Sequence, residues 1–122
     1  MLPHKLVITF LFALTLISCA TPTKMIDAQM SSYDKNTDYA TTPRMDGFSI
    51  AVNYSRYQFI PESSAVATAC KSAITSIAYE QADKQGRKIQ PLNEQRIRIS
   101  MGRNGLTGIT SCSALASAEW QN

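Results

Sequence analysis

Histidine is almost absent from this 122-residue chain: the single example, His4, lies in an N-terminal stretch with the marks of a cleavable leader. The rest of the chain therefore has no imidazole for general acid–base catalysis or metal ligation. It also lacks a Gly-rich phosphate loop, a metal-ligand cluster and a nucleophile beside a base. Glu80 and Asp83 are at helical spacing but have neither base nor nucleophile nearby, and read as a solubilising face. Neither enzymatic activity nor a cofactor is expected. Charge is scarce as well. The net charge is +3, and removing Lys5 with the leader leaves eleven basic against nine acidic side chains, or +2. That is too mild to argue for nucleic acid. No apolar run is long enough to span a bilayer as a helix. The longest, Leu6 to Ile17, has twelve residues where about twenty are needed. The length suits one domain at most.

That short run is instead the right length for the h-region of a secretory signal, with His4 and Lys5 as the n-region. Residues 1–18 are read as the signal peptide. Leu16-Ile17-Ser18-Cys19 resembles a bacterial lipobox. The resemblance implies a diacylglyceryl group on the Cys19 thiol, cleavage before Cys19 and, in many Gram-negative species, acylation of the new amine. Two or three acyl chains anchor stably where one binds only marginally. Ala20 stands where an Asp would signal inner-membrane retention. By analogy with enterobacterial sorting, this implies the periplasmic side of the outer membrane, with outer-membrane lipid as the partner of acylated Cys19. The alternatives are an ordinary signal peptide cut after Ala20 and an uncleaved anchor.

Residues 19–46 contain little that would build a core. Ser31 to Asp38 is polar, and Thr41-Thr42-Pro43 interrupts regular structure. The expectation is a flexible linker; the alternative is an arm packed through Met25, Ile26, Met30 and Tyr33. The folded domain is placed at 47–122. Phe48, Ile50, Val52 and Tyr54 alternate with polar or small residues, as in a half-buried strand. Parity then shifts to Tyr57 and Phe59, and a bulge near Ser55-Arg56 would explain the slip. Pro61-Glu62-Ser63-Ser64 reads as a helix start with serines able to cap. Val66, Ala69, Cys70, Ala73, Ile74, Ile77 and Ala78 form a helical stripe over about 62–85, and Gly86 is a natural stop. Ile97, Ile99 and Met101 alternate with Arg96, Arg98 and Ser100, and Asn104-Gly105 signals a hairpin into a last strand from Leu106 to about Ala118. The fold class is α+β: a β-α-β-β domain with an antiparallel sheet and one helix packed across it.

A two-residue turn at Asn104-Gly105 would set Ile97 opposite Cys112 and place Cys112 on the apolar side of the hairpin. Cys70 lies on the apolar stripe of the helix. Both thiols thus point into one core, and an oxidising compartment favours a Cys70–Cys112 disulfide. Buried free thiols or a redox pair are the alternatives, but the spacing is not Cys-x-x-Cys.

In that register Arg96 and Arg98 face Ser113 and Ser111 on the opposite side. With Arg103 at the turn and Arg87 and Lys88 before the strand, they form a candidate surface for an anion or an acidic partner; the alternative is a solvated sheet face protected by charge. Tyr54, Tyr57 and Phe59 would make an aromatic contact patch or, the reading adopted, complete a small core. Trp120 would close the end of the sheet or pack below the helix.

Ala82-Asp83-Lys84-Gln85-Gly86 followed by a strand and hairpin is loosely similar to small enterobacterial envelope lipoproteins, including the sensor of the Rcs stress pathway. The similarity covers under half of the mature chain, and the single disulfide expected here departs from the sensor's pattern. Two functions follow as expectations: a non-catalytic envelope accessory or assembly module with a protein partner, or an envelope sensor binding anionic lipopolysaccharide or cell-wall groups through the basic hairpin face.

Overall fold

The computed structural model describes residues 29–122. The expected signal peptide, Cys19 and the expected linker as far as residue 28 lie outside the described residues. Strands β1 (Ser31–Asp34), β2 (Thr37–Arg44) and β3 (Gly47–Tyr57) precede the helix α1 (Ser63–Lys84); β4 (Arg98–Asn104) and β5 (Ile109–Glu119) follow it. All pairings are antiparallel, and the five-stranded sheet has the order β1-β2-β3-β5-β4. The molecule is α+β, with one helix across one sheet face. The four elements expected from Gly47 onward are present, preceded by two further strands.

Those two strands correct the linker boundary. Residues 31–44 form sheet: β2 pairs with β3 along its whole length, from Thr37 opposite Tyr54 to Arg44 opposite Gly47. The Tyr33 hydroxyl donates to Glu80 Oε1 on α1 at 2.8 Å, and Gln81 Nε2 donates to the Tyr39 hydroxyl at 3.3 Å. The hydrogen bond to Glu80 is the main cause of a Tyr33 pKa above its ordinary 10.0; desolvation and the charges of Glu80 and Asp34 add to it. Pro43 has no N–H to give, but β1 reaches only Thr37 to Tyr39, so this part of β2 is an outer edge where none is needed.

The helix buries Val66, Cys70, Ile74, Ile77, Ala78 and Ala82, at the expected spacing of three and four. They meet Phe48, Ile50 and Val52 of β3 and Cys112, Ala114 and Ala118 of β5. Gly86 ends α1 with φ +67°, and the Arg87 N–H returns to the Ala82 carbonyl at 3.1 Å. The serines do not cap the other end. Glu62 is the N-cap residue and has no side-chain cap. Gln58 does the work instead: its Oε1 accepts from the Glu62 N–H at 3.1 Å and its Nε2 donates to the Glu62 carbonyl at 3.2 Å.

Strand β3 carries no bulge. Its pairing with β5 runs unbroken from Gly47–Glu119 to Tyr57–Ile109. Tyr57 simply falls on the face away from α1, and Phe59 lies beyond the strand. Both are exposed, whereas Tyr54 packs against the core. The aromatic cluster read as core is thus divided. Trp120 closes the sheet end against Phe48, with ring centroids 5.3 Å apart.

The hairpin turn is also longer than expected. Gly105–Gly108 form the loop, closed by the Gly108 N–H on the Asn104 carbonyl at 2.9 Å, and Asn104 Oδ1 accepts from the Leu106 and Thr107 N–H groups. Gly108 has φ +73°, and the Tyr57 ring occupies the space a Cβ would need, 2.6 Å away. Met101, not Ile97, therefore pairs with Cys112. The displacement is four residues, an even number, so Cys112 keeps its face. The Cys70–Cys112 disulfide is formed, with Cα atoms 6.2 Å apart. No helix among the described residues is long and apolar enough to cross a membrane.

Candidate functional site

The basic residues expected on one surface are distributed over the molecule. Arg103 is taken up internally: Nη1 donates to Thr110 Oγ1 at 3.0 Å and Nη2 to the Gln58 carbonyl at 3.1 Å. Its side chain projects on the α1 side of the sheet, since Arg103 pairs with Thr110 two residues from Cys112. Arg87 stacks over Trp120, 4.3 Å from the ring centroid. Lys88 is exposed, and its carbonyl accepts from the Gln121 N–H at 2.9 Å.

Arg96 and Arg98 do come together, though not in the expected register. Arg96 sits in a short 3₁₀ turn, Glu94–Arg96, and Arg98 opens β4 opposite Leu115 rather than Ser111. The turn is set by Asn93, whose Oδ1 accepts from the Gln95 N–H at 3.0 Å. Both arginines are exposed and line a groove of about 890 Å³. Arg44, at the end of β2, lines the same groove. The sequence does not single it out, because the polar, threonine-rich segment that carries it suits a linker as well as a strand.

The groove has a simple origin. Strand β4 pairs with β5 only as far as Leu115, and the chain rejoins β5 at the Ile89–Trp120 bridge. Between these points residues 91–97 arc away. The β5 edge from Ala116 to Ala118 is left without a strand neighbour on that side. Gln90, Asn93 and Gln95 add amide groups to the wall, and Glu119 contributes its one carboxylate. Arg44 donates to Ser117 Oγ at 2.9 Å and lies 3.8 Å from Asp46, the one ion pair among the described residues. Arg96 and Arg98 therefore keep guanidinium donors for a ligand.

Such a site can hold an anion or an extended acidic segment by charge-assisted hydrogen bonds. Among the described residues no group of three or more His, Cys, Asp or Glu could hold a metal ion. Both described cysteines are joined in the disulfide. Comparison of the chain with protein-family models, characterised proteins and solved structures returns no match.

Proposed function

We propose that this chain is a small lipoprotein, anchored through acylated Cys19 on the periplasmic side of an outer membrane, that serves as a non-catalytic protein-binding module of the envelope. The observation that carries the binding role is the open β5 edge beside Arg44, Arg96 and Arg98. A segment placed across this gap reaches the main-chain N–H and C=O of Ser117, the residue of the open stretch whose alternation turns them away from β3, and the guanidinium groups select carboxylates in it. The partner is accordingly an acidic stretch of another envelope protein.

The sensor reading, in which anionic lipopolysaccharide or cell-wall groups occupy a broad basic face, has less support. Such a face needs Arg87, Lys88 and Arg103 beside the other arginines. Arg103 is engaged at the far end of the sheet and Arg87 is stacked on an indole.

A photo-crosslinking residue at Gln95, used in living cells, tests the proposal. The expected result is one reproducible protein adduct, reduced about tenfold or more by Arg96→Glu with Arg98→Glu, as expected when hydrogen-bonded charge pairs are lost. Because both residues are exposed, thermal unfolding of that variant is expected to match the wild type. Capture of glycolipid alone, or of a protein adduct indifferent to charge reversal, would contradict it.

A further inference from the structure

The end of the sheet opposite the groove is apolar. Tyr57 at the end of β3 and Phe59 and Ile60 from the β3–α1 connection are 65%, 84% and 71% exposed, and Leu106 and Ile109 from the hairpin are 99% and 38% exposed. They belong to one surface: Tyr57 pairs with Ile109, and the Gln58 N–H donates to the Gly108 carbonyl at 2.8 Å. The segments are locked from behind. Gln58 is buried, its Oε1 accepts from Thr110 Oγ1 at 2.8 Å, and Arg103 binds both the Gln58 carbonyl and Thr110. A rigid support that projects large apolar side chains into water calls for an explanation.

We infer that this apolar end inserts into the interface of the bilayer that carries the anchor. The inference rests on the anchored-lipoprotein reading of Cys19. Chain length argues for it. Met30 sits beside Asn53, which donates to its Sδ at 3.1 Å, and Asn53 precedes Tyr57 by four residues of strand, about 13 Å. The ten residues from 20 to 29 reach at most about 35 Å. An anchor at Cys19 thus holds the domain within reach of the lipid, and the apolar end needs no other partner to bring it there.

Shape argues the same way. Phe59 and Leu106 protrude almost fully, at 84% and 99% exposure. A fluid interface conforms to such projections, and tyrosine and phenylalanine suit its boundary. Lys35, Arg56 and Arg103 are nearly balanced at this end by Asp34 and Glu62. Apolar contact, rather than attraction to anionic lipid, dominates. The groove then projects away from the membrane. It lies at the other end of β5, whose eleven residues span about 35 Å.

The test uses the mature-length chain 19–122 with Cys19→Ser, so that no acyl chain contributes. The probe is vesicles of phosphatidylethanolamine and phosphatidylglycerol, with and without brominated acyl chains. Sedimentation with the vesicles is expected, with an affinity at least about tenfold lower for Phe59→Ser with Leu106→Ser, whose exposed positions leave the fold intact. In a Phe59→Trp variant the introduced indole is expected to be quenched by brominated lipid, while native Trp120, read in the unmodified sequence, is not. Binding is expected to persist on zwitterionic vesicles. Failure of the wild-type sequence to bind, equal binding by the serine variant, quenching of Trp120, or dimerisation through this end in place of lipid binding would overturn the inference. Since the assay contains no acylated protein, its failure leaves the Cys19 reading intact, and failure of acylation in cells leaves the vesicle result intact.

Discussion

Replacing both Cys70 and Cys112 with alanine is expected to lower the midpoint of thermal unfolding by roughly 15–30 °C. The disulfide closes a loop of 42 residues' separation, for which chain entropy gives about 4 kcal/mol. The magnitude matters because 94 residues, 29 to 122, carry the fold and share one small core. Domains of that size are stable by only about 5–15 kcal/mol. Position adds to the effect. Cys70 lies in the first half of the buried stripe of α1, and Cys112 lies on β5, an interior strand of the sheet, both essentially inaccessible. The link therefore fixes the helix to an interior strand of the sheet. A melt of the doubly substituted chain against the oxidised wild type checks this. Reduction of the wild type separates the cross-link from side-chain packing, and it is expected to be slow until the protein opens, because neither sulfur is exposed. A shift below about 5 °C would show that the core alone holds the helix.

Joining Cys19 directly to Gly47 is expected to abolish cooperative folding. If residues 20–46 were only a tether, this shortened chain would fold as well as the full mature one. With β1 and β2 removed, β3 becomes an edge, and the contact that Tyr39 makes over the core beside Val52 is lost. Val52 and Ile50, now almost fully buried, would lie on the new edge. Exposed edges of this kind pair with other chains. Aggregation or a non-cooperative melt by circular dichroism is the expected result. A soluble monomer with wild-type stability would restore the linker reading.

Legibility in the sequence followed burial. The helix and β3 were plain because one face of each is almost entirely apolar: Val66, Cys70, Ile74 and Ile77 on one, Phe48, Ile50 and Val52 on the other. The disulfide was reached through a turn of the wrong length. Parity alone determines which face a strand residue takes, and the four-residue displacement preserved it. Nothing local announced that Gly108, rather than Asn104-Gly105, would make the left-handed step. The Tyr57 ring that fills the space beside Gly108 comes from another strand. β1 and β2 were invisible for the converse reason. Of β2 only Thr37 is buried, and its polar and threonine-rich sequence suits a strand near an edge as well as it suits a loop. Losing β2 also lost Arg44, and with it a third of the guanidinium groups of the groove. The apolar end is hidden in the sequence for a further reason: large aromatics such as Tyr57 and Phe59 usually belong to a core, whereas here both are exposed.

The envelope roles given to the groove and the apolar end presuppose a domain delivered to a bilayer, and Cys19 is the residue proposed to deliver it. Growth of expressing cells with a clickable palmitate analogue, followed by gel analysis of the wild type and of Cys19→Ser, tests it directly. The expected result is label on the processed wild-type protein, and no label with accumulation of the precursor for Cys19→Ser. Processing of the wild type to mature length without label would contradict the anchor.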